Sequence, residues 1–238
     1  MVNRLLLWDA GSSRLEHAVA NNRLLGKTVH RFVAGAQLPD AVSAAVDLNT
    51  RGIGAILDLL GEGVEDLAGA SEAAGKYLEA VEVIAERGID STVSLKLSQL
   101  GLTVDGAACA ANLARILERA KELGVGVEVD MEQSELVDAT LRVFREAADK
   151  HPETRLAMQA NLRRTPTDLD AMAAIKPRIR LVKGAYWDTE IKAAQVGGLP
   201  DYPVFTRKVA TDVSYLACAR RLLAGGSAFY PQFATHNA

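Results

Sequence analysis

Strand-like apolar runs alternate with helical patterns along this chain, and no Asn-Gly hairpin turn separates any two of them. A helix is predicted from Pro39, with Ala41, Val42, Ala45, Val46 and Leu48 at helical spacing and Gly52 as its stop. The apolar run 54–60 follows, then a helix from about Ser71 to Gly88 with Tyr77, Leu78, Val81 and Ile84 on one side. The series continues with strand 92–97, helix 107–123, strand 125–131, helix 134–150, strand 155–159, a helix entered at Pro166 and strand 178–183. A longer connection leads to helix 203–223, and strand 232–235 comes last.

Strands joined by helices rather than hairpins must run parallel, because only a crossover returns the chain to the same end of the sheet. Such a chain folds as a (β/α)8 barrel or as a doubly wound sheet. No Gly-x-Gly-x-x-Gly follows the first strand, which weakens the doubly wound alternative. Polar residues gather at strand carboxyl ends: Glu62, Lys96, Asp130, Gln159, Arg180 with Lys183, and Thr235-His236-Asn237. In a barrel those ends share one rim, where active sites are built. The reading is therefore an α/β, TIM-like barrel, incomplete at about six units. Residues 1–38 form a helical preamble and residues 39–238 the partial barrel. Two more strand–helix units need about 70 residues.

The stretch Arg180-Leu-Val-Lys-Gly-Ala-Tyr-Trp187 is the most informative local feature. An unpaired buried charge costs several kcal/mol, so two cations at a strand end predict an anionic partner outside the strand. Snorkelling surface cations are the plainer alternative. A net charge of -3 gives no basic field for wrapping nucleic acid. Cys109 and Cys218 lie in Ala-rich helical stretches without metal-ligand spacing, and read as buried free thiols of a reducing compartment. No apolar run reaches the length of a membrane span. A cytoplasmic protein is the expectation.

The motifs Leu59-Leu-Gly-Glu62, Val93-Ser-Leu-Lys-Leu-Ser98, Val129-Asp-Met-Glu132, Gln159-Ala160, Arg180-Leu-Val-Lys-Gly-Ala-Tyr-Trp187 and Phe233-Ala-Thr-His-Asn237 occur in this order. Together they resemble proline dehydrogenase, both free-standing and as the domain of bifunctional proline-utilisation proteins. The likeness runs from about Phe32 to the last residue. It implies a distorted barrel holding FAD at its carboxyl rim. It also implies oxidation of L-proline to Δ1-pyrroline-5-carboxylate, with electrons passed to a quinone at the membrane surface.

The resemblance assigns catalytic positions to Asp130 and Arg180, and substrate contacts to Lys96, Tyr186 and Glu62. It assigns flavin contacts to Met131, Gln159, Val182, Lys183, Gly184, Ala185, Trp187, Thr235, His236 and Asn237. Each has a plainer reading. Lys96 is expected to pair with Asp130 across neighbouring strands, or to serve as a Schiff-base lysine in an aldolase-type barrel. Asp130 is an alternative cap for the helix near Ser134. Tyr186 and Trp187 are an aromatic cluster under a loop, and Glu62 is a solvated carboxylate. His17, His30 and His151 carry no partner pattern. Other classes are a different flavin barrel such as a methylenetetrahydrofolate-reductase relative, a non-catalytic scaffold, and a metal enzyme built on Asp130, Glu132 and His236.

Two departures from the family stand out. Its eighth helix supplies two arginines for the substrate carboxylate, and no such helix is found here, so weak or absent turnover is expected of the chain alone. Asn161 stands where the family has an aromatic residue after Gln-Ala.

Overall fold

The structure is a computed structural model that describes residues 34, 35, 37–61 and 63–235. The expectations for the preamble, including His17 and His30, lie outside the described residues. The chain divides into two compact units, Met1–Gly54 and Ala55–Ala238. In the first, helix α1 (Leu38–Thr50) begins where the pattern around Pro39 predicts. Asp40 turns back to accept the Gln37 N–H at 3.2 Å, satisfying a donor that a helix start leaves bare.

The second unit alternates strand and helix throughout. Its strands are β1 (Ala55–Asp58), β2 (Ser91–Leu95), β3 (Gly126–Val129), β4 (Arg155–Gln159), β5 (Arg178–Val182) and β6 (Tyr230–Phe233). Its helices are α2 (Leu67–Arg87), α3 (Gly106–Leu123), α4 (Val137–Lys150), α5 (Thr165–Met172), α6 (Trp187–Val196) and α7 (Lys208–Ala224). The strands pair in parallel in the order β1-β2-β3-β4-β5-β6. A doubly wound sheet reverses its strand order at a switch point. This sheet never reverses, so it has the progressive order of a barrel wall.

Alternation along the strands decides what faces where. Val93, Leu95, Val127, Val129, Leu156, Met158, Ile179 and Leu181 are buried, on the side where α2 packs on β2, α3 on β3 and α7 on β5. Each such side chain contributes about 1.5–3 kcal/mol on leaving water. The alternate residues, Asp58, Thr92, Ser94, Glu128, Arg155 and Arg180, meet one another on the opposite, inner face.

Several element limits differ from the sequence pattern for identifiable reasons. Helix α2 starts at Leu67 rather than Ser71, because Asp66 accepts the Gly69 N–H at 2.7 Å and caps it earlier. It stops at Gly88, whose φ of 60° is the left-handed turn that glycine tolerates. The helix predicted at Ser134 opens with a 3-10 turn, Ser134–Leu136, before α4. The long connection after β5 contains α6, which the pattern does not anticipate. Helix α7 begins at Lys208 instead of Pro203 because the intervening segment is held extended. The Arg163 N–H donates to the Pro203 carbonyl, the Phe205 N–H donates to the Asn161 carbonyl, and Leu162 and Val204 form an antiparallel bridge. Cys109 and Cys218 are free and buried. No described helix is long and apolar enough to cross a membrane.

Candidate functional site

The inner face of the sheet carries a charge network. Arg180 Nη1 lies 3.0 Å from Glu128 Oε2, its Nη2 ion-pairs with Asp130, and it donates to Ser94 Oγ at 3.2 Å. Ser94 Oγ in turn donates to Asp130 at 2.9 Å. Lys96 Nζ is 3.2 Å from both oxygens of Asp58 and 3.9 Å from Asp130 Oδ2. Arg155 Nη1 and Thr92 Oγ1 reach Glu128 Oε1 at 3.4 and 3.2 Å. The cations Lys96, Arg155 and Arg180 therefore balance the anions Asp58, Glu128 and Asp130. That balance is what allows buried charge at a tolerable cost.

Two expectations gain named partners here, and one alternative is corrected. The anions facing Arg180 and Lys183 belong to the chain itself: Glu128 and Asp130 for the first, and Asp212, at 2.8 Å, for the second. Lys96 pairs chiefly with Asp58, since β1 brings that carboxylate closer than Asp130. Asp130 does not cap the start at Ser134. Its carboxylate is turned inward to Arg180, and Glu190 takes the Ser134 N–H instead. Burial raises the Asp58 carboxyl above the usual range, with Lys96 opposing the rise and Asp130 adding to it. Asp212 draws the Lys183 ammonium upward.

Outside this network a chain of buried hydrogen bonds links successive strand-to-helix loops. Tyr77 donates to Gln99 at 2.6 Å, and the Gln99 amide donates to the carbonyls of Leu59 and Gly61. Burial pushes the Tyr77 hydroxyl well above its usual range. The buried Glu132 carboxylate accepts from the Ser98 N–H at 3.0 Å and from its hydroxyl. Burial, helped by Glu132, pushes the Cys109 thiol up to about 12. Gln159 donates to the Glu132 carbonyl at 2.8 Å and accepts the Ala185 N–H at 2.7 Å. Asn161 donates to the Ala185 carbonyl at 3.1 Å. The first five βα loops are thereby tied at the carboxyl end of the sheet.

The residues assigned to the flavin occupy that same end. Met131 is buried, Val182 and Lys183 are half-buried, and Gly184, Ala185 and Thr235 are exposed. Gly184 has a φ of 127°, and a Cβ there would fall 2.2 Å from Asn161 Oδ1. Tyr186 opens α6 with a φ of 60°. Trp187 leaves 41 % of its surface exposed while its indole N–H donates to the Phe205 carbonyl at 2.8 Å. Glu62, His236 and Asn237 lie outside the described residues.

Lys96, Asp130 and Gln159 lie at the carboxyl ends of their strands, as the pattern predicts, while Arg180 is the middle residue of β5 and reaches Asp130 through its side chain. The residues missed are Asp58, Ser94 and Glu128, which satisfy Lys96, Asp130 and Arg180, together with Arg155, which pairs with Glu128, and Gln99, which ties the first two loops. Strict alternation in Thr92-Val-Ser-Leu-Lys96 and Gly126-Val-Glu-Val-Asp130 carried the signal for Ser94 and Glu128. His151 is buried with Nδ1 3.6 Å from Glu153, a packing position. Among the described residues no group of His, Cys, Asp and Glu is arranged to hold a metal ion.

Comparison with known proteins gives a consistent picture. Residues 41–238 match the family model described as proline dehydrogenase. The chain is 37 % identical over 241 residues to the bifunctional protein PutA of Escherichia coli, covering 91 % of this chain and 18 % of that protein. It is 33 % identical over 207 residues to proline dehydrogenase 1 of Bacillus subtilis strain 168, covering 87 % of this chain and 64 % of that protein. Among solved structures, proline utilization A of Bdellovibrio bacteriovorus, inactivated by N-propargylglycine, superposes with a TM-score of 0.82 at 26 % identity. That match covers 90 % of this chain and 26 % of the other. The chain thus spans about a fifth of the bifunctional relatives and less than two thirds of the shorter one.

Proposed function

The chain belongs to the proline dehydrogenase family, and from that premise we propose that residues 39–238 serve the FAD-dependent oxidation of L-proline to Δ1-pyrroline-5-carboxylate. The electrons pass to a quinone that the cytoplasmic protein meets at a membrane surface.

One observation supports this reading above the others: the charge-balanced network of Lys96, Arg155 and Arg180 with Asp58, Glu128 and Asp130 lies on the face of the sheet that leads to Gln159 and the Gly184–Trp187 turn. The residues present suit a flavin. Gly184 and Ala185 are small and exposed, Trp187 offers an exposed aromatic surface, and Lys183 supplies a cation beside them. Met131, Gln159, Val182, Lys183, Gly184, Ala185, Trp187, Thr235, His236 and Asn237 would hold it. The flavin, when bound, supplies the acceptor for the hydride from the ring carbon beside the proline nitrogen.

The protein's own part is binding and electrostatics. Arg180 is held by Asp130 and Glu128, so its positive charge is fixed before substrate arrives and needs no reorganisation. Lys96 offers a cation to the substrate carboxylate, and Asp58 and Asp130 favour the cationic ring nitrogen. Tyr186 and Glu62 are the further residues assigned to the substrate. Positioning of this kind carries the rate enhancement.

The test is to mix the purified chain with FAD, remove the excess and record the visible spectrum before and after anaerobic L-proline. Retained flavin that proline bleaches supports the reading, and a colourless protein sinks it.

A further inference from the structure

The start of the β3–α4 connection is closed by a residue 56 positions away. Glu190 Oε1 accepts the Ser134 N–H and its Oε2 accepts the Ser134 hydroxyl at 2.6 Å. The carboxylate is buried, with Glu190 only 5 % exposed. The usual arrangement would be a cap from the residue just before the turn, but Gln133 makes no side-chain cap bond. A buried carboxylate from α6 supplies what the local sequence lacks.

The same residue is tied to its own end of the site. The Glu190 N–H donates to the Tyr186 carbonyl at 2.9 Å. Tyr186 holds a left-handed conformation, which costs a non-glycine residue about 1–2 kcal/mol and persists only where neighbouring contacts over-determine it. One residue therefore joins two loops, through its carboxylate the loop that follows Asp130 and Met131, and through its backbone N–H that of Tyr186 and Trp187.

We infer that Glu190 is a positioning residue that holds these two loops in a single arrangement, so that the flavin meets both or neither. The flavin half of this statement rests on the function proposed above. The coupling half does not.

The test separates them. Hydrogen exchange is measured on the full chain, unsubstituted and as Glu190→Ala, Glu190→Gln and Ser134→Ala, and FAD affinity is titrated through flavin fluorescence. Glu190→Ala is expected to speed exchange at least about tenfold in both 131–136 and 186–191, the scale of one lost charge-assisted hydrogen bond. Strand β5 keeps its protection. FAD affinity falls by a similar factor, and Glu190→Gln, which keeps one acceptor oxygen, restores it to within about threefold. Loosening confined to 186–191, or loosening nowhere, overturns the coupling. If Glu190→Ala does not fold, Ser134→Ala decides: exchange that rises in 186–191 as well as around residue 134 supports the coupling, and a purely local rise overturns it. An unsubstituted chain that takes no FAD sinks the flavin reading, while the exchange data still judge the coupling.

Discussion

Arg180 reaches across from β5 to Glu128 on β3, with Nη1 3.0 Å from Oε2, and Glu128 has no exposed surface at all. A carboxylate so placed depends on its cation. Removing one partner of a buried pair typically costs about 3–5 kcal/mol, because the remaining charge is stranded in low dielectric. Arg180→Met is therefore expected to lower unfolding stability by about that amount in urea titrations. The double substitution with Glu128→Gln should recover a large share of it. A loss in the double variant equal to the sum of the two single losses would mean that the pair is not coupled.

Asp58 gives a pH signature of known sign. Its carboxyl is raised above the unfolded value, chiefly by burial. The folded state therefore binds the proton more tightly, so the stability gained is present below the unfolded pKa and lost as pH rises through the folded one. The stability of the unsubstituted chain minus that of Asp58→Asn should fall as pH rises above about 4, the ordinary carboxylate value. Because 35 % of the Asp58 side chain is exposed, the effect is screened and small. Urea melts of both proteins across that range provide the measurement, and a difference that rises with pH contradicts the assignment.

How far the sequence discloses this arrangement depends on the type of contact. The parallel sheet was readable because helical and strand-like periods alternate without hairpin turns, and the rim because Lys96, Asp130 and Gln159 each fall at or near a strand end. Partner choice was not. Lys96 has two carboxylates within reach, and its preference for Asp58 is set by the register that places Asp58 beside Ser94. Helix α6 escaped notice because its cap is Tyr186 in a left-handed conformation, not a Ser, Thr, Asp or Asn. The extended segment before α7 is pinned by backbone contacts to the loop after β4, and no local pattern announces those.

Gln159 links two loops through the two ends of one amide, so its donor and acceptor are not interchangeable. The Gln159→Glu substitution keeps the acceptor for the Ala185 N–H but points an oxygen at the Glu132 carbonyl. At neutral pH the loss should be about 1–3 kcal/mol or more, the cost of leaving buried polar groups unsatisfied. Protonation restores a donor, so the deficit should shrink as pH falls. Thermal melts at neutral and mildly acidic pH would show it, and a deficit that grows in acid would contradict the geometry.

Gly184 and Asn161 form a pair in which one residue explains the other. The backbone at Gly184 has a φ of 127°, and a Cβ built there would fall 2.2 to 2.5 Å from the Asn161 amide atoms. Two penalties are therefore stacked in Gly184→Ala: conformational strain of about 1–3 kcal/mol, and a collision with a side chain that already donates to the Ala185 carbonyl. Only the second depends on Asn161. In a double-mutant cycle, Asn161→Ala should relieve the collision but leave the strain. Gly184→Ala should then cost less in the Asn161→Ala background than alone, without becoming neutral. Full recovery would mean that the backbone conformation is unstrained. Strict additivity would mean that the amide does not occupy the space beside Gly184, and the turn carrying Ala185, Tyr186 and Trp187 would then owe its shape to something other than the loop after β4.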